Sequence, residues 1–175
     1  MKIIEGMKRV KQLKEKAADL VTKIATHSAD YDFETPIYTD QREQVRQWLQ
    51  AHSDIIKEIL RLTVAIQRTN LATNVTIELG TKPVTKTIAE WIHRRGMGKG
   101  LHGLARLELE AWSKLTDKNL KEGTVKQSSG ELREVKIRRY YDPAQRDQMM
   151  ELYRTEPHLI DATLEVVNAT TDLIE

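Results

Sequence analysis

The chain has 175 residues, 39% of them hydrophobic and none of them cysteine. That length supports one ordinary domain whose core needs neither disulfides nor metal staples, and the lack of thiols excludes disulfide frameworks, thiolate nucleophiles and most structural zinc sites. The formal net charge of +2, from 28 basic and 26 acidic residues, is far below the excess of a dedicated nucleic-acid binder, so any such role has to rest on a local patch.

The expected fold is mainly α: an antiparallel long-helix bundle of about four helices with one or two small β-hairpins, in a single domain over residues 1–175. Helix one is predicted over residues 1–26, with Ile3, Met7, Val10, Ala17, Val21 and Ile24 as its apolar stripe and Lys8, Arg9, Lys11, Lys14, Lys16 and Lys23 on its solvated face. Charge breaks every short apolar run at the start of the chain and no later stretch reaches membrane-spanning length. The sequence therefore predicts no membrane insertion and a cytoplasmic location. Residues 27–38 have no period and read as a loop, with Tyr31, Phe33 and Tyr38 covering the end of the bundle.

Helix two is predicted over residues 40–70. Asp40 and Glu43 form a capping-box pattern, in which each side chain satisfies a backbone donor. Val45, Trp48, His52, Ile55, Ile59, Leu62 and Ile66 then step by three and four, a heptad seam that only His52 interrupts. A small β element follows over 73–86, with Val75, Ile77 and Leu79 on one side and Gly80 and Pro83 as turn markers. Helix three, 87–118, opens on the capping-box pair Thr87 and Glu90 with Ile88, Trp91 and Ile92 inward. The glycines between 96 and 103 loosen or interrupt it.

A second hairpin is predicted over 123–141 around Ser128-Ser129-Gly130. The final helix, 142–172, starts at Asp142-Pro143, the pattern of an N-cap followed by proline at the first helical position, and Pro157 should kink or break it. The stretches 64–73 and 162–171 both run a helical pattern into Asn followed by Thr, at Asn70 and Asn168.

Two basic clusters are candidate anion or nucleic-acid contacts. One gathers Arg94, Arg95, Lys99 and Arg106 around a glycine-rich turn whose backbone amides suit an anion. Residues 98–103 spell GxGxxG, but a helix rather than a buried strand precedes them and no Ser or Thr follows Lys99, so neither a dinucleotide fingerprint nor a Walker loop is present. The other cluster sets Arg138 and Arg139 beside Tyr140 and Tyr141, the mixture of cations and stacking surfaces used on single strands; a charge-protected edge strand explains it equally simply. No metal-ligand spacing, nucleophile elbow or calcium-loop pattern occurs, so no catalytic residue, metal or cofactor is expected.

The order of elements, with Ile66-x-Arg68-x-Asn70-x-x-Thr73, Arg94-Arg95, a polar hairpin, Ile160-Asp161 and Asn168, resembles the septicolysin-like family of small bacterial helical proteins over about residues 55–173. That resemblance implies paired long helices with a small β element, and self-association. Arg68, Asn70 and Asn168 make physical sense as structural polar groups at the bundle end, where the last helical carbonyls need donors and Asn tolerates a left-handed turn. The function expected is that of a non-enzymatic helical assembly or adaptor protein: a homo-oligomer with a further, unidentified protein partner. A nucleic-acid or phosphate-binding accessory protein is the alternative. A phage or mobile-element structural component, the third reading, shares every feature of the first.

Overall fold

The computed structural model describes residues 1–97 and 102–174. Its elements, in chain order, are α1 (Ile3–His27), α2 (Gln41–Ala72), β1 (Asn74–Leu79), β2 (Lys82–Thr87), α3 (Ile88–Arg95), α4 (Leu104–Ser113), β3 (Gly123–Lys126), β4 (Leu132–Val135) and α5 (Pro143–Thr170). The protein is therefore mainly helical with two small antiparallel hairpins. The chain divides into two compact units: residues 1–74, 87–89 and 164–175, and residues 75–86 and 90–163.

In the first unit α1 and α2 form an antiparallel helical hairpin. At one end Gly6 faces Ile66; at the other the Gln41 amide donates to the His27 carbonyl at 2.9 Å and the His27 ring lies 5.6 Å from that of Trp48. The inward residues of α1 are Ile3, Gly6, Val10, Leu13, Ala17, Leu20 and Ile24, a strict three-four alternation. The expected stripe is thus corrected in part: Met7 and Val21 are exposed, while Leu13 is buried and Gly6 takes a seam position. A Cβ on Gly6 would meet Leu173, so the seam admits no side chain there without displacing it. On α2 the seam is as anticipated, with Trp48 and Leu62 buried and His52 half-buried.

Asp40 caps α2, accepting from the Glu43 amide at 2.9 Å. The reciprocal half of the capping box does not form, because Glu43 turns outward to a two-pronged pair with Arg46 at 2.7 and 2.8 Å. The 28–40 loop covers the hairpin end only through Tyr38, whose ring meets Trp48 edge-on at 5.4 Å. Tyr31 and Phe33 instead stack on each other at 5.3 Å and remain 69% and 80% exposed.

The open ends of this unit are closed by the chain's last residues. Ile3 donates to the Thr171 carbonyl at 3.0 Å, Leu173 donates to the Met1 carbonyl at 2.8 Å, and Lys2 pairs with Asp172 at 2.8 Å. The Ile174 amide donates to the Thr69 hydroxyl at 2.9 Å, and that hydroxyl donates to the Ala65 carbonyl at 2.8 Å. Fully buried Thr69 does the closing expected of the asparagines. Asn70 and Asn168 lie within their helices and neither adopts a positive φ; Asn70 Oδ1 is buried without a hydrogen bond, and Arg68 is exposed.

In the second unit Val75 and Ile77 of β1 are buried, and Thr76 and Thr85 share a 2.7 Å hydrogen bond across the strands. Gly80, with φ 65°, turns the hairpin, whereas Pro83 lies inside β2 rather than in the turn. Helix three is two helices. Gly96, at φ 80°, ends α3 with its amide on the Ile92 carbonyl at 2.9 Å. Gly103 precedes α4 with no room for a Cβ against the Arg94 and Arg95 carbonyls. Between them, Gly98, Lys99, Gly100 and Leu101 fall outside the described residues.

The β3–β4 register pairs Gly123 with Val135 and Lys126 with Leu132, and both strands are largely exposed, as anticipated. Asp142 accepts from the Ala144 amide at 2.9 Å to start α5. The helix runs unbroken through Pro157, so proline removes one backbone bond without ending it. Among the described residues no helix is long and apolar enough to cross a membrane.

The revised seam makes a contrast testable by urea unfolding. Leu62→Ala, at a residue with no exposure, should cost about 2–5 kcal/mol. Val21→Ala, on the stripe first expected to be inward, should change stability by no more than about 0.5 kcal/mol.

Candidate binding surfaces

The second unit is keyed to one guanidinium. Arg94, in the last turn of α3, donates from Nε and Nη2 to the two carboxylate oxygens of Glu156 on α5, at 2.6 and 2.7 Å. Glu156 has no exposure, so its charge depends on that fork. The same guanidinium lies 5.8 Å from the centre of the Tyr153 ring, and its Nη1 is 3.9 Å from Glu108 on α4. Arg95 beside it binds Asp161 at 2.8 Å and the Gly96 carbonyl at 3.2 Å. Trp91, one turn earlier, is also fully buried and donates to the Val75 carbonyl at 2.9 Å.

Three of the six candidate anion contacts are occupied by carboxylates of their own unit: Arg94, Arg95 and, as described below, Arg139. Glu156 escaped sequence reading although a signal was present: Met149, Tyr153, Glu156, Ile160 and Val167 fall on one helical stripe, and a carboxylate in an apolar seam calls for a buried cation.

A groove of about 550 Å³ runs between α4 and α5. Leu109, Met150, Tyr153 and Pro157 give it an apolar lining, and Arg106 and His158 stand at its wall. Of its other charges, Arg154 holds Glu151 at 2.9 Å and Asp161 holds Arg95; the Ser113 hydroxyl donates to the Glu110 backbone carbonyl at 2.6 Å. Arg106 carries no ion pair among the described residues. No cluster of His, Asp or Glu able to hold a metal occurs among them either.

The second basic cluster is organised by Asp117. Arg139 donates to both of its oxygens, at 2.8 and 2.6 Å, and the Tyr141 hydroxyl adds a third bond at 2.9 Å. Arg146 covers the Tyr141 ring at 5.6 Å and donates to the Leu115 carbonyl at 3.1 Å. The Arg139 and Tyr141 hydrogen bonds hold the Asp117 carboxyl below its ordinary range, against the opposing effect of burial. Burial first, and then the bond to Asp117, pushes the Tyr141 phenol up. Arg139 is thus a structural clip. Arg138 stays outside it, exposed and unpaired among the described residues, beside the similarly exposed Tyr140.

Two adjoining hollows of about 360 and 270 Å³ share Leu120, Ile137, Arg138 and Tyr140. Lys114, Lys118, Lys121 and Lys136 complete their positive lining, and the only carboxylate among the described lining residues is that of Asp117, which accepts three hydrogen bonds. No family model, curated protein or solved structure matches this chain.

Breaking the buried pair with Glu156→Gln leaves Arg94 without its counter-charge and should cost about 3–5 kcal/mol in denaturant unfolding. The double change Arg94→Met/Glu156→Met should cost clearly less than that single one. Because the Asp117 value is depressed in the folded chain, the clip is fully effective above the ordinary carboxylate range and is lost as pH falls through the lowered value. Tyr141 acts oppositely, its contribution being lost only as pH rises through a value above that of a free phenol. Amide-exchange protection at Ile137, whose N–H binds Glu122 at 3.1 Å, should be lower in Asp117→Asn than in wild type at neutral pH, where the wild-type clip is fully charged.

Proposed function

We propose that this protein is a non-enzymatic helical assembly or adaptor protein that associates with copies of itself through α2. One observation carries the reading: Leu49, Ile56, Leu60 and Leu71 are exposed on a face of α2 apart from the seam with α1, and Leu60 is 64% exposed. A row of large apolar side chains along a helix whose own seam is already filled is the pattern of a helix-to-helix interface, and a face meeting its own copy closes naturally about a two-fold axis. The arrangement of the long helices into a bundle belongs to the same reading.

The absence of catalysis is part of it, supported by the engagement of Arg94, Arg95, Arg139 and Arg154 with carboxylates of their own unit. Kinship with the septicolysin-like family is also proposed.

Light scattering after size-exclusion chromatography tests the reading. Wild type should elute as a multiple of the 20.2 kDa chain, at high salt as well as low, because an apolar contact is not screened. Ile56→Glu/Leu60→Glu should elute at the monomer mass with an unchanged helical circular-dichroism spectrum. A wild type monomeric at every concentration would sink the reading.

A further inference from the structure

We infer that the basic groove under the β3–β4 hairpin is a docking site for the acidic aromatic loop of a second copy of this chain. This rests on the proposed self-association only in taking a copy as the occupant. It adds a surface chemically unlike the α2 face.

The groove supplies both halves of a recognition chemistry. Lys121, Lys136 and Arg138 line the same hollow as Leu120, Val135 and Ile137, so cations sit against apolar surface. The one carboxylate of the adjoining hollow is already neutralised by Arg139 and Tyr141. Such a lining favours a ligand that alternates negative and apolar groups. The chain carries that ligand in Asp30-Tyr31-Asp32-Phe33-Glu34.

The loop is shaped for docking. The Glu34 amide donates to the Tyr31 carbonyl at 3.0 Å while the Tyr31 amide donates to the Glu34 carboxylate at 3.2 Å, closing a turn. The Tyr31 and Phe33 rings stack at an interplanar angle of 10°, presenting one exposed apolar plate. Asp30 and Asp32 form no ion pair among the described residues. A pre-turned loop loses less entropy on binding than a free segment.

A nucleic-acid strand fits less well. The hairpin interleaves Glu131 and Glu134 with Lys126 and Arg133, so a continuous phosphate backbone meets repulsion there, whereas a five-residue segment needs only the groove. A contact between two different surfaces is heterologous and propagates into rings or open chains unless the rotation closes.

Charge exchange tests the contact. Asp30→Lys/Asp32→Lys and Lys136→Glu/Arg138→Glu alter only exposed residues, so both variants should keep the wild-type melting temperature. Each alone should weaken the salt-sensitive part of association by about tenfold or more, because like charges then face one another. An equimolar mixture should restore it, since the reversed loop of one matches the reversed groove of the other.

Loss without rescue, or no loss in either variant, overturns the proposal. So does a groove variant that loses binding of a labelled single-stranded oligonucleotide while the loop variant associates normally. Ile56→Glu/Leu60→Glu separates the two readings: if it yields monomers while the charge variants have no effect, the α2 reading stands and this one falls. If charge exchange breaks and restores assembly while the α2 variant does nothing, the reverse holds.

Discussion

A carboxylate with no solvent exposure is costly unless its charge is matched, and in the second unit that constraint places Arg94 against Glu156. The fork accepts one geometry, with both guanidinium nitrogens on both oxygens. Holding the guanidinium there also fixes the backbone that carries it. The chain leaves α3 two residues later through the positive φ of Gly96, and returns at Gly103 so closely that only a residue without a Cβ clears the Arg94 and Arg95 carbonyls. The glycines at these two positions are geometric requirements of the pair's surroundings. Desolvation offsets much of the Coulomb attraction, so the pair contributes orientation of α3 against α5 more than net stability.

The first unit solves a different problem, the loose ends of a two-helix hairpin. Two long helices bury one seam, and the donors and acceptors at their open termini need partners. Thr69 meets this need because one hydroxyl both donates to the helix behind it and accepts from the chain beyond α5. The αL tolerance of Asn70 is irrelevant there, because the helix continues through Ala72. Gly6 serves the same closure by leaving space that Leu173 fills.

What the sequence revealed follows from which physical signals are local. Heptad spacing from Trp48 to Ile66 identified the α2 seam because consecutive large side chains share a face. On α1 the spacing of apolar residues mixes two faces. Apolar residues occur on both, and Gly6, with no hydrophobic side chain, gives no signal at a seam position. The caps at Asp40 and Asp142 were legible within four residues. Glu43 was not, because Arg46 competes for its carboxylate more strongly than a backbone amide does. The clustering of Arg94 with Arg95, and of Arg138 with Arg139, was visible, but their partners Glu156, Asp161 and Asp117 are distant in the chain. Sequence alone therefore did not separate the paired Arg139 from its unpaired neighbour Arg138.

That separation changes how the near-zero net charge is understood. A balanced total is compatible with a uniformly mixed surface or with segregated patches, and only the latter is self-complementary. Here the acids Asp30, Asp32 and Glu34 are collected in one loop, while Lys114, Lys118, Lys121, Lys136 and Arg138 surround a groove in which the Asp117 carboxylate is consumed internally. Segregation of this kind acts over about one Debye length, ~8 Å at physiological salt, so under the proposed self-association it would orient copies only at close approach. The apolar face of α2 has the opposite character, being insensitive to salt and without charge preference. In the proposed assembly, the apolar surface would hold copies together and the charged surfaces would align them.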